Sequence, residues 1–360
     1  MADNDTVREI RINPIVPAES VLIATARGMR PKKEEDRAPR DTREHVETCP
    51  FCRGNEDKTP PAIATYPEVD DWSIRIVENL YPVLGDDRQQ NSVLSFGLQQ
   101  TMDGYGRHEV IIDNDKHGIA VHDMSEDHLA LLLGAYRTRM EELYNSDDRL
   151  RYVLVFKNFG PAAGASIPHT HSQIIAMPVT PQNVLDEVVN SKQFYDKQHH
   201  CIFCSLIDEA LTFEATIYDK NSGEVRRKIN VGQFVVERGE RFIAIKPFAS
   251  RYEWEVHILP VQHQADFLGA TEEDLEDFAR VLKRTMQRLD AVLGGAQYNF
   301  FLHSLPHDPD HVGCEASYHW HLEICPRTSI PTGFELGSGL FVNTVSPEEA
   351  AAELRNVSID

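Results

Sequence analysis

The sequence predicts an α+β fold made of a duplicated unit, with antiparallel sheets and flanking helices. Three observations predict it. Landmark residues recur in the same order in both halves of the chain, each half has strand-like runs on both sides of one helix-like run, and these runs lack strict strand–helix–strand alternation. A chain of 360 residues can bury two cores, so we divide it into residues 1–190 and 191–360.

Four landmarks carry the repeat. Each half opens on a Cys-x-x-Cys pair, continues through a histidine and a capped helix, and closes on a His-x-His segment. The paired landmarks are Cys49 and Cys201, His117 and His263, Ser125 and Thr271, and His169 and His319. Their separations all lie between 146 and 152 residues, and loops tolerate such small changes in length. A nearly constant period indicates an ancient duplication.

Local patterns predict the individual elements in chain order. Runs rich in β-branched and aromatic residues predict strands at 72–77, 109–113, 152–156, 173–177, 241–246, 254–259 and 298–302. Ser125 and Thr271, each followed by acidic residues, predict the N-termini of two amphipathic helices. The highly charged stretch 30–47 predicts a mobile connector or a surface loop.

Composition argues against two classes of protein. The net charge of −21 disfavours a nucleic-acid groove, because phosphate backbones require clustered Lys and Arg. No apolar run is long enough to cross a bilayer, and residues 1–12 lack the order of a secretion signal. We therefore expect a cytoplasmic protein with no membrane partner and with reduced thiols, in which cysteine pairs hold metal more often than they form disulfides.

Cysteine and histidine spacing predicts two zinc sites. A Cys-x-x-Cys turn presents two thiolates on one side of a loop, and two later histidines would complete a tetrahedron. The two predicted ligand sets are Cys49, Cys52, His117 and His169, and then Cys201, Cys204, His263 and His319. His257 competes with His263 but lies within a predicted strand. Four protein ligands indicate structural sites, and the alternatives are redox-active or simply buried thiols.

The segment from residue 157 to residue 173 carries the candidate chemistry. It leaves one strand at Asn158, crosses a loop of small residues that includes Gly164 and Ser166, and enters the next strand. In such a loop the backbone can approach a phosphate closely. Ser166 is suited to donate a hydrogen bond to a leaving phosphate.

The histidines of this segment are the candidate nucleophile and metal ligand. Strand alternation places His169, His171 and Gln173 on one face. A neutral imidazole whose far nitrogen is hydrogen-bonded is a competent nucleophile toward phosphorus, and Gln173 can donate to a phosphate oxygen. We therefore predict that His171 is the nucleophile. The alternative is that both histidines are metal ligands or surface residues of a half-buried strand.

These residues resemble the galactose-1-phosphate uridylyltransferase family, a duplicated branch of the histidine-triad superfamily. The family's His-Pro-His-x-Gln motif appears at residues 169–173, with Thr170 in place of the proline. The resemblance covers nearly the whole chain. It implies that His171 carries a nucleoside monophosphate in a ping-pong cycle, that Gln173 steadies this intermediate, and that the first Cys pair belongs to a zinc site.

The resemblance also implies substrate contacts and partners. Arg27 and Arg30 look like a paired-arginine stretch that meets substrate phosphates, Asn79 matches a stretch that lines the nucleotide pocket, and Asn158 matches a phosphate-contacting asparagine. The implied substrates are a sugar nucleotide with a sugar 1-phosphate or phosphate. The implied assembly is a homodimer whose sites borrow partner residues from around Phe334.

Three departures from the family pattern leave the base, the sugar and the second metal open. Leu80 stands where the classical enzymes have a ribose-binding acid, and residues 333–339 stand where they have hexose contacts. Their second metal site uses one Glu and three His. Four residues here can supply that pattern: Glu187, His303, His319 and His321. The second Cys pair instead resembles the branch that contains ADP-glucose phosphorylases, and the second metal is then zinc, with iron as the alternative.

Three functions are compatible with these residues. The leading hypothesis is a UDP-glucose:hexose-1-phosphate uridylyltransferase that works through a covalent nucleotidyl-His171. The second is an ADP-glucose phosphorylase, with the same covalent step and inorganic phosphate as acceptor. The third belongs to another class, a non-catalytic zinc scaffold that only binds nucleotides. Hydrolysis is disfavoured because Gln173 cannot relay a proton.

Overall fold

A computed structural model describes residues 7–29, 40–86 and 93–359. The strands in these ranges are β1 (Arg8–Ile12), β2 (Ser20–Ala24), β3 (Ala62–Tyr66), β4 (Ile74–Glu78), β5 (Val93–Phe96), β6 (Gln99–Met102), β7 (Arg107–Ile112), β8 (Tyr152–Phe159), β9 (His171–Met177), β10 (Glu214–Tyr218), β11 (Val225–Asn230), β12 (Val235–Arg238), β13 (Phe242–Ile245), β14 (Val256–Pro260), β15 (Tyr298–His303), β16 (His321–Pro326) and β17 (Phe341–Asn343). The α-helices are α1 (Glu126–Ser146), α2 (Gln182–Gln198), α3 (Ile202–Thr212), α4 (Glu272–Leu293), α5 (Gly333–Ser338) and α6 (Pro347–Asn356).

One ten-stranded antiparallel sheet runs through both halves of the chain. Its strand order is β12-β13-β14-β16-β15-β8-β9-β7-β4-β3. The halves meet where β8 pairs with β15, so the repeated units share one continuous sheet. The first two strands lie apart from it, because β2 pairs with β1 and, in parallel, with β17 from near the end of the chain. The predicted α+β fold with antiparallel sheet is confirmed.

The two long helices follow their predicted signals. Ser125 accepts a hydrogen bond from the backbone N–H of His128 at the start of α1, and Thr271 forms a capping box with Asp274 at the start of α4. Each cap satisfies backbone donors that the first turn leaves free. The apolar stripes of both helices pack in one core against the same face of the sheet. The opposite face carries the polar clusters described below, beside a smaller core formed with α2 and α3.

Most predicted strands appear within two residues of their expected bounds, and β9 begins earlier than predicted, at His171. The predicted boundary at residue 190 falls within α2, and the division into two halves stays a prediction. Residues 30–39 of the predicted charged loop lie outside the described ranges. Within those ranges, no helix is both long and apolar enough to cross a bilayer.

Candidate active site

The first Cys pair and two distant histidines meet beside the sheet. Cys49, Cys52, His117 and His169 are all buried, and their ligand atoms lie within 4.8 Å of one another. Cys52 Sγ lies 3.5 Å from Nδ1 of His117 and 3.5 Å from Nδ1 of His169. Cys49 Sγ lies 3.7 Å from the same atom of His169. The four residues selected by spacing therefore converge.

This arrangement fits a tetrahedral zinc ion. With Zn–S of about 2.3 Å and Zn–N of about 2.0 Å, tetrahedral ligands are separated by about 3.5 Å from sulfur to nitrogen. The far nitrogen of His169, Nε2, lies 2.7 Å from the carbonyl oxygen of Asn114, which leaves Nδ1 free for metal. Burial raises the pKa of the Cys52 thiol to about 11, so a bound dication would be needed to hold it as thiolate at neutral pH.

The second Cys pair forms a matching cluster in the other half. Cys201 is the N-cap residue of α3, and Cys204 lies in its first turn. Cys204 Sγ lies 3.3 Å from Nδ1 of His263 and 3.6 Å from Nδ1 of His319, while the Nε2 atoms of both histidines face backbone carbonyls at 2.8 and 2.9 Å. The structure thus groups His263, and not His257, with this pair. The donor set again fits zinc.

A third cluster of buried donors lies beside the second one. Glu187, His303, His321 and Glu323 lie within 4.8 Å of one another. Three of the four residues that could supply a one-Glu, three-His site are present, but His319 belongs to the cysteine cluster and Glu323 takes its place. Arg251 forms a 2.7 Å ion pair with Glu323, so this donor set is partly neutralised by the protein's own charges.

His171 is held in the tautomer that a nucleophile needs. Its Nδ1 lies 2.8 Å from the carbonyl oxygen of His169. Since a carbonyl only accepts, the proton lies on Nδ1 and the lone pair on Nε2. The ring of Phe51, from the first Cys pair, packs edge-on at 5.2 Å between centroids. Burial lowers the pKa of His171, the His169 carbonyl opposes this change, and Lys157 adds to it, so the imidazole is neutral at neutral pH.

Gln173 is oriented by a histidine that sequence reasoning missed. His108 on β7 receives a hydrogen bond at Nδ1 from the backbone N–H of Val83, so its proton lies on Nε2. Nε2 is 2.8 Å from Oε1 of Gln173 and donates to it. The amide NH2 group of Gln173 is therefore directed away from His108 and is available as a donor. The available signal was alternation, because His108 shares a strand face with Val110 and Ile112.

Two predicted asparagines border the same strand face. Asn79 follows β4, and its amide nitrogen lies 3.1 Å from Nε2 of His108. Asn158 follows Lys157, which pairs with Ser172, so it lies on the strand beside His171. The side-chain Oδ1 of Asn158 accepts a 2.8 Å hydrogen bond from the side-chain Nδ2 of Asn299 in the other half. This contact leaves the Asn158 NH2 group as a donor near His171.

The loop between β8 and β9 carries Gly164 and Ser166. Both residues are exposed. Gly164 has φ +83° and closes a short turn with its N–H on the carbonyl of Pro161, 3.0 Å away, and this left-handed conformation favours glycine. The turn at Gly164 thus fixes the backbone of the loop, and the loop is open to solvent just before His171. A loop that contacts a phosphate needs both properties.

Arg27, one of the two predicted arginines, does not line a cavity shared with His171. Arg27 lies against the C-terminal segment, in a cavity of about 140 Å³ that Thr332 and Glu335 also line. Neither His171 nor Gln173 lines that cavity. Arg30 lies outside the described residues. Within the described part of one chain, Arg27 and the segment around Phe334 therefore line a cavity that is separate from His171 and Gln173.

Known proteins match this chain in sequence. Residues 1–181 match the family described as galactose-1-phosphate uridyl transferase, N-terminal domain. The chain is 30% identical to the ADP-glucose phosphorylase of Arabidopsis thaliana, over 99% of this chain and 96% of that protein. It is 26% identical to the galactose-1-phosphate uridylyltransferase of Thermotoga maritima, over 98% and 99% respectively.

A solved structure matches as well. The crystal structure of the Arabidopsis thaliana ADP-glucose phosphorylase with bound ADP-glucose gives a TM-score of 0.81 at 28% identity, covering 98% of this chain and 100% of that one. The fold and these relatives define an enzyme of the nucleotidyltransferase class. More specifically, the chain belongs to the galactose-1-phosphate uridyl transferase family, and the family resemblance predicted from sequence is confirmed.

Proposed function

We propose that this enzyme removes a nucleoside monophosphate from a sugar nucleotide, carries it on His171 and passes it to a second phosphate. The observation that carries the proposal is the contact between His171 Nδ1 and the His169 carbonyl, 2.8 Å, which leaves Nε2 as the nucleophilic atom. The lowered pKa of His171 supports the same role, because only the neutral imidazole has that lone pair.

The proposed cycle has two displacement steps. In the first, Nε2 of His171 attacks the α-phosphorus, a P–N bond forms, and the P–O bond to the sugar phosphate breaks. In the second, an oxygen of the acceptor phosphate attacks the same phosphorus and the P–N bond breaks, which restores the neutral imidazole. The Gln173 NH2 group, oriented by His108, would donate to a non-bridging oxygen in both steps, and the Ser166 hydroxyl to the departing or arriving phosphate.

The donor is either of two sugar nucleotides. A uridylyltransferase acting on UDP-glucose and a hexose 1-phosphate is supported by the family match and by the Thermotoga maritima relative. An ADP-glucose phosphorylase is supported by the higher identity to the Arabidopsis thaliana protein and by the TM-score of 0.81 to its structure with ADP-glucose. Both donors use the same proposed covalent step, and only the base and the acceptor differ.

In this proposal the zinc ions would have a structural role. Two four-ligand sites leave no open position for a water or a substrate, so their ions would fix the Cys loops against the sheet. The first site would hold His169, whose carbonyl orients His171, and Phe51, which packs against His171. Metal would therefore support catalysis by position, with no step at the ion itself.

We also propose that the active enzyme is a homodimer. Arg27, Thr332 and Glu335 line a cavity that excludes His171, so in one chain the arginine and the C-terminal segment lack the nucleophile they would serve. Pairing the segment with the His171 of a second copy would complete the site. Mixing a His171→Asn chain with a chain altered at Arg27 tests this: activity recovered in the mixture supports shared sites.

Intact-protein mass spectrometry with each donor distinguishes the candidates. The enzyme is mixed in turn with UDP-glucose and ADP-glucose, quenched and weighed. A uridylyl adduct supports the transferase, an adenylyl adduct supports the phosphorylase, and addition of hexose 1-phosphate or inorganic phosphate should discharge the matching adduct. Nucleotide binding without any adduct would leave only the zinc scaffold.

A further inference from the structure

We propose that Lys157 is a positioning residue for the nucleophile, acting from behind the strand that carries His171. The inference deepens the proposed function and rests on it. Lys157 lies on β8 and is fully buried. Its ammonium group makes contacts that converge on the residues at the start of β9.

The three donors of the Lys157 ammonium have three acceptors. Nζ lies 2.5 Å from Oδ2 of Asp113, 2.7 Å from Oγ1 of Thr170 and 3.0 Å from the carbonyl oxygen of His171. An ammonium group has three N–H bonds and no acceptor capacity, so this set uses all of them. One side chain thus ties the main chain of the nucleophile to the end of β7.

Asp113 extends the same network to α1. Its Oδ2 also accepts a 3.0 Å hydrogen bond from Ser172, whose hydroxyl is 2.6 Å from that of Tyr136 on α1. Residues 170, 171 and 172 are therefore each held by this network. His169, one residue before them, faces the first metal cluster. His171 therefore lies between the Lys157 network and the first cysteine cluster.

Thr170 links this network to the sequence motif. It occupies the position where the family motif has proline, and a proline side chain offers no acceptor. Here the buried threonine hydroxyl accepts from Lys157 at 2.7 Å. The departure from the motif is thus matched by a specific partner on β8, which indicates that the two residues work together.

The physical role follows from the precision that displacement at phosphorus demands. Attack requires the reacting atoms to be close and aligned, and a misplacement of about 1 Å costs about 100-fold in rate. The His169 carbonyl fixes the rotation of the imidazole, and Lys157 fixes the main chain from which the imidazole projects. Loss of Lys157 would leave binding of the donor intact and slow the chemical step.

The test measures covalent labelling of the whole enzyme in a single turnover, with UDP-glucose and ADP-glucose as probes. Two variants disturb the contacts of the Lys157 ammonium, the first in part and the second completely. Thr170→Val deletes one acceptor at constant volume, and the double variant Asp113→Asn with Lys157→Met removes both buried charges together, because removing one alone leaves an unpaired charge. Thr170→Ser keeps the hydroxyl. Each variant is first checked for zinc content and for cooperative unfolding.

The matched control is Lys246→Met. Lys246 is equally buried, and its ammonium donates to the carbonyl of Glu255, 2.9 Å away, in the other half. This variant reports what loss of a buried lysine does to the fold alone. Thr170→Ser and Lys246→Met should label at the wild-type rate.

For Thr170→Val the saturating rate of labelling should fall by about 10-fold, and for the double variant by about 100-fold, with half-saturating donor concentrations within about threefold of wild type. If both folded, zinc-loaded variants label as fast as wild type, the inference is overturned. If the double variant does not fold, the comparison of Thr170→Val with Thr170→Ser decides. Failure of the wild-type enzyme to label with either donor would overturn the proposed function instead.

Discussion

The imidazole of His108 and the side-chain amide of Gln173 lie 2.8 Å apart, from Nε2 to Oε1, on the neighbouring strands β7 and β9. Because the backbone of Val83 donates to Nδ1 of the same ring, this contact has one direction, with His108 as donor and the Gln173 oxygen as acceptor. The amide is thereby fixed with its NH2 group directed away from His108.

Replacing His108 should remove the hydrogen bond that orients the Gln173 amide. In His108→Ala the Gln173 amide can rotate, so its oxygen would face the phosphate in part of the population. We expect the single-turnover labelling rate to fall by about 10-fold or more, as for loss of one oriented donor. His200→Asn, at an exposed histidine, is the control. An unchanged rate in His108→Ala would show that Gln173 needs no such support.

The same histidine predicts how stability depends on pH. Burial lowers the pKa of His108, the hydrogen bond to Gln173 opposes the change, and the net value lies below the ordinary 6.5. The folded state thus disfavours protonation. The contribution of His108 to stability is complete above about pH 6.5 and is lost as the pH falls through the lowered value.

Urea unfolding between pH 8 and pH 5 measures this contribution. We expect wild type to lose stability below about pH 6.5, and His108→Gln to lose less over the same interval, so that the difference between the two curves narrows in acid. Parallel curves for the two proteins would contradict the assignment of His108 as a neutral, doubly hydrogen-bonded ring.

Replacing one cysteine of the first cluster should show whether that cluster holds a structural zinc ion. In Cys49→Ser we expect zinc content to drop by about one ion per chain and the unfolding midpoint to fall by roughly 5 °C or more, because a structural ion contributes to folding free energy. Cys314→Ser, at a buried cysteine outside the first two clusters, is the control. Full zinc content and stability in Cys49→Ser would show that the first cluster does not bind zinc.

The second half should carry no nucleotide. His321 repeats the geometry of His171, with Nδ1 3.1 Å from the carbonyl of His319 and a phenylalanine ring at 5.2 Å. Its Nε2, however, lies 3.5 Å from a carboxylate oxygen of Glu323 and 3.8 Å from one of Glu187. These negative charges would repel a phosphate. We expect one label per chain, retained in His321→Asn and lost in His171→Asn, and a second label would contradict this assignment.

The order of landmarks was enough to predict the fold class, the helix caps and both cysteine clusters. Ligand spacing is a local property that survives folding, and the repeat supplied each partner in register. The choice of His263 over His257 followed from the same register, and in the structure His263 lies with the second Cys pair. These features depend on residues that lie at fixed separations along the chain.

Contacts between distant strands could not be predicted in the same way. The pairing of Lys157 with Asp113, and of His108 with Gln173, depends on which strands become neighbours and in which register. The exchange of His319 for Glu323 in the third cluster has the same origin, because one histidine cannot serve two clusters. The joining of both halves into one sheet through β8 and β15 was also beyond the sequence pattern.

The proposed mechanism requires that Nε2 of His171 forms a bond to phosphorus. Peptide mapping of enzyme quenched within one turnover of UDP-glucose or ADP-glucose tests this requirement most directly. We predict a nucleoside monophosphate on the peptide that contains residues 169–177, localised to His171 by fragmentation and absent from His171→Asn. A label on any other residue, or catalytic turnover of a sugar nucleotide by His171→Asn, would contradict the mechanism.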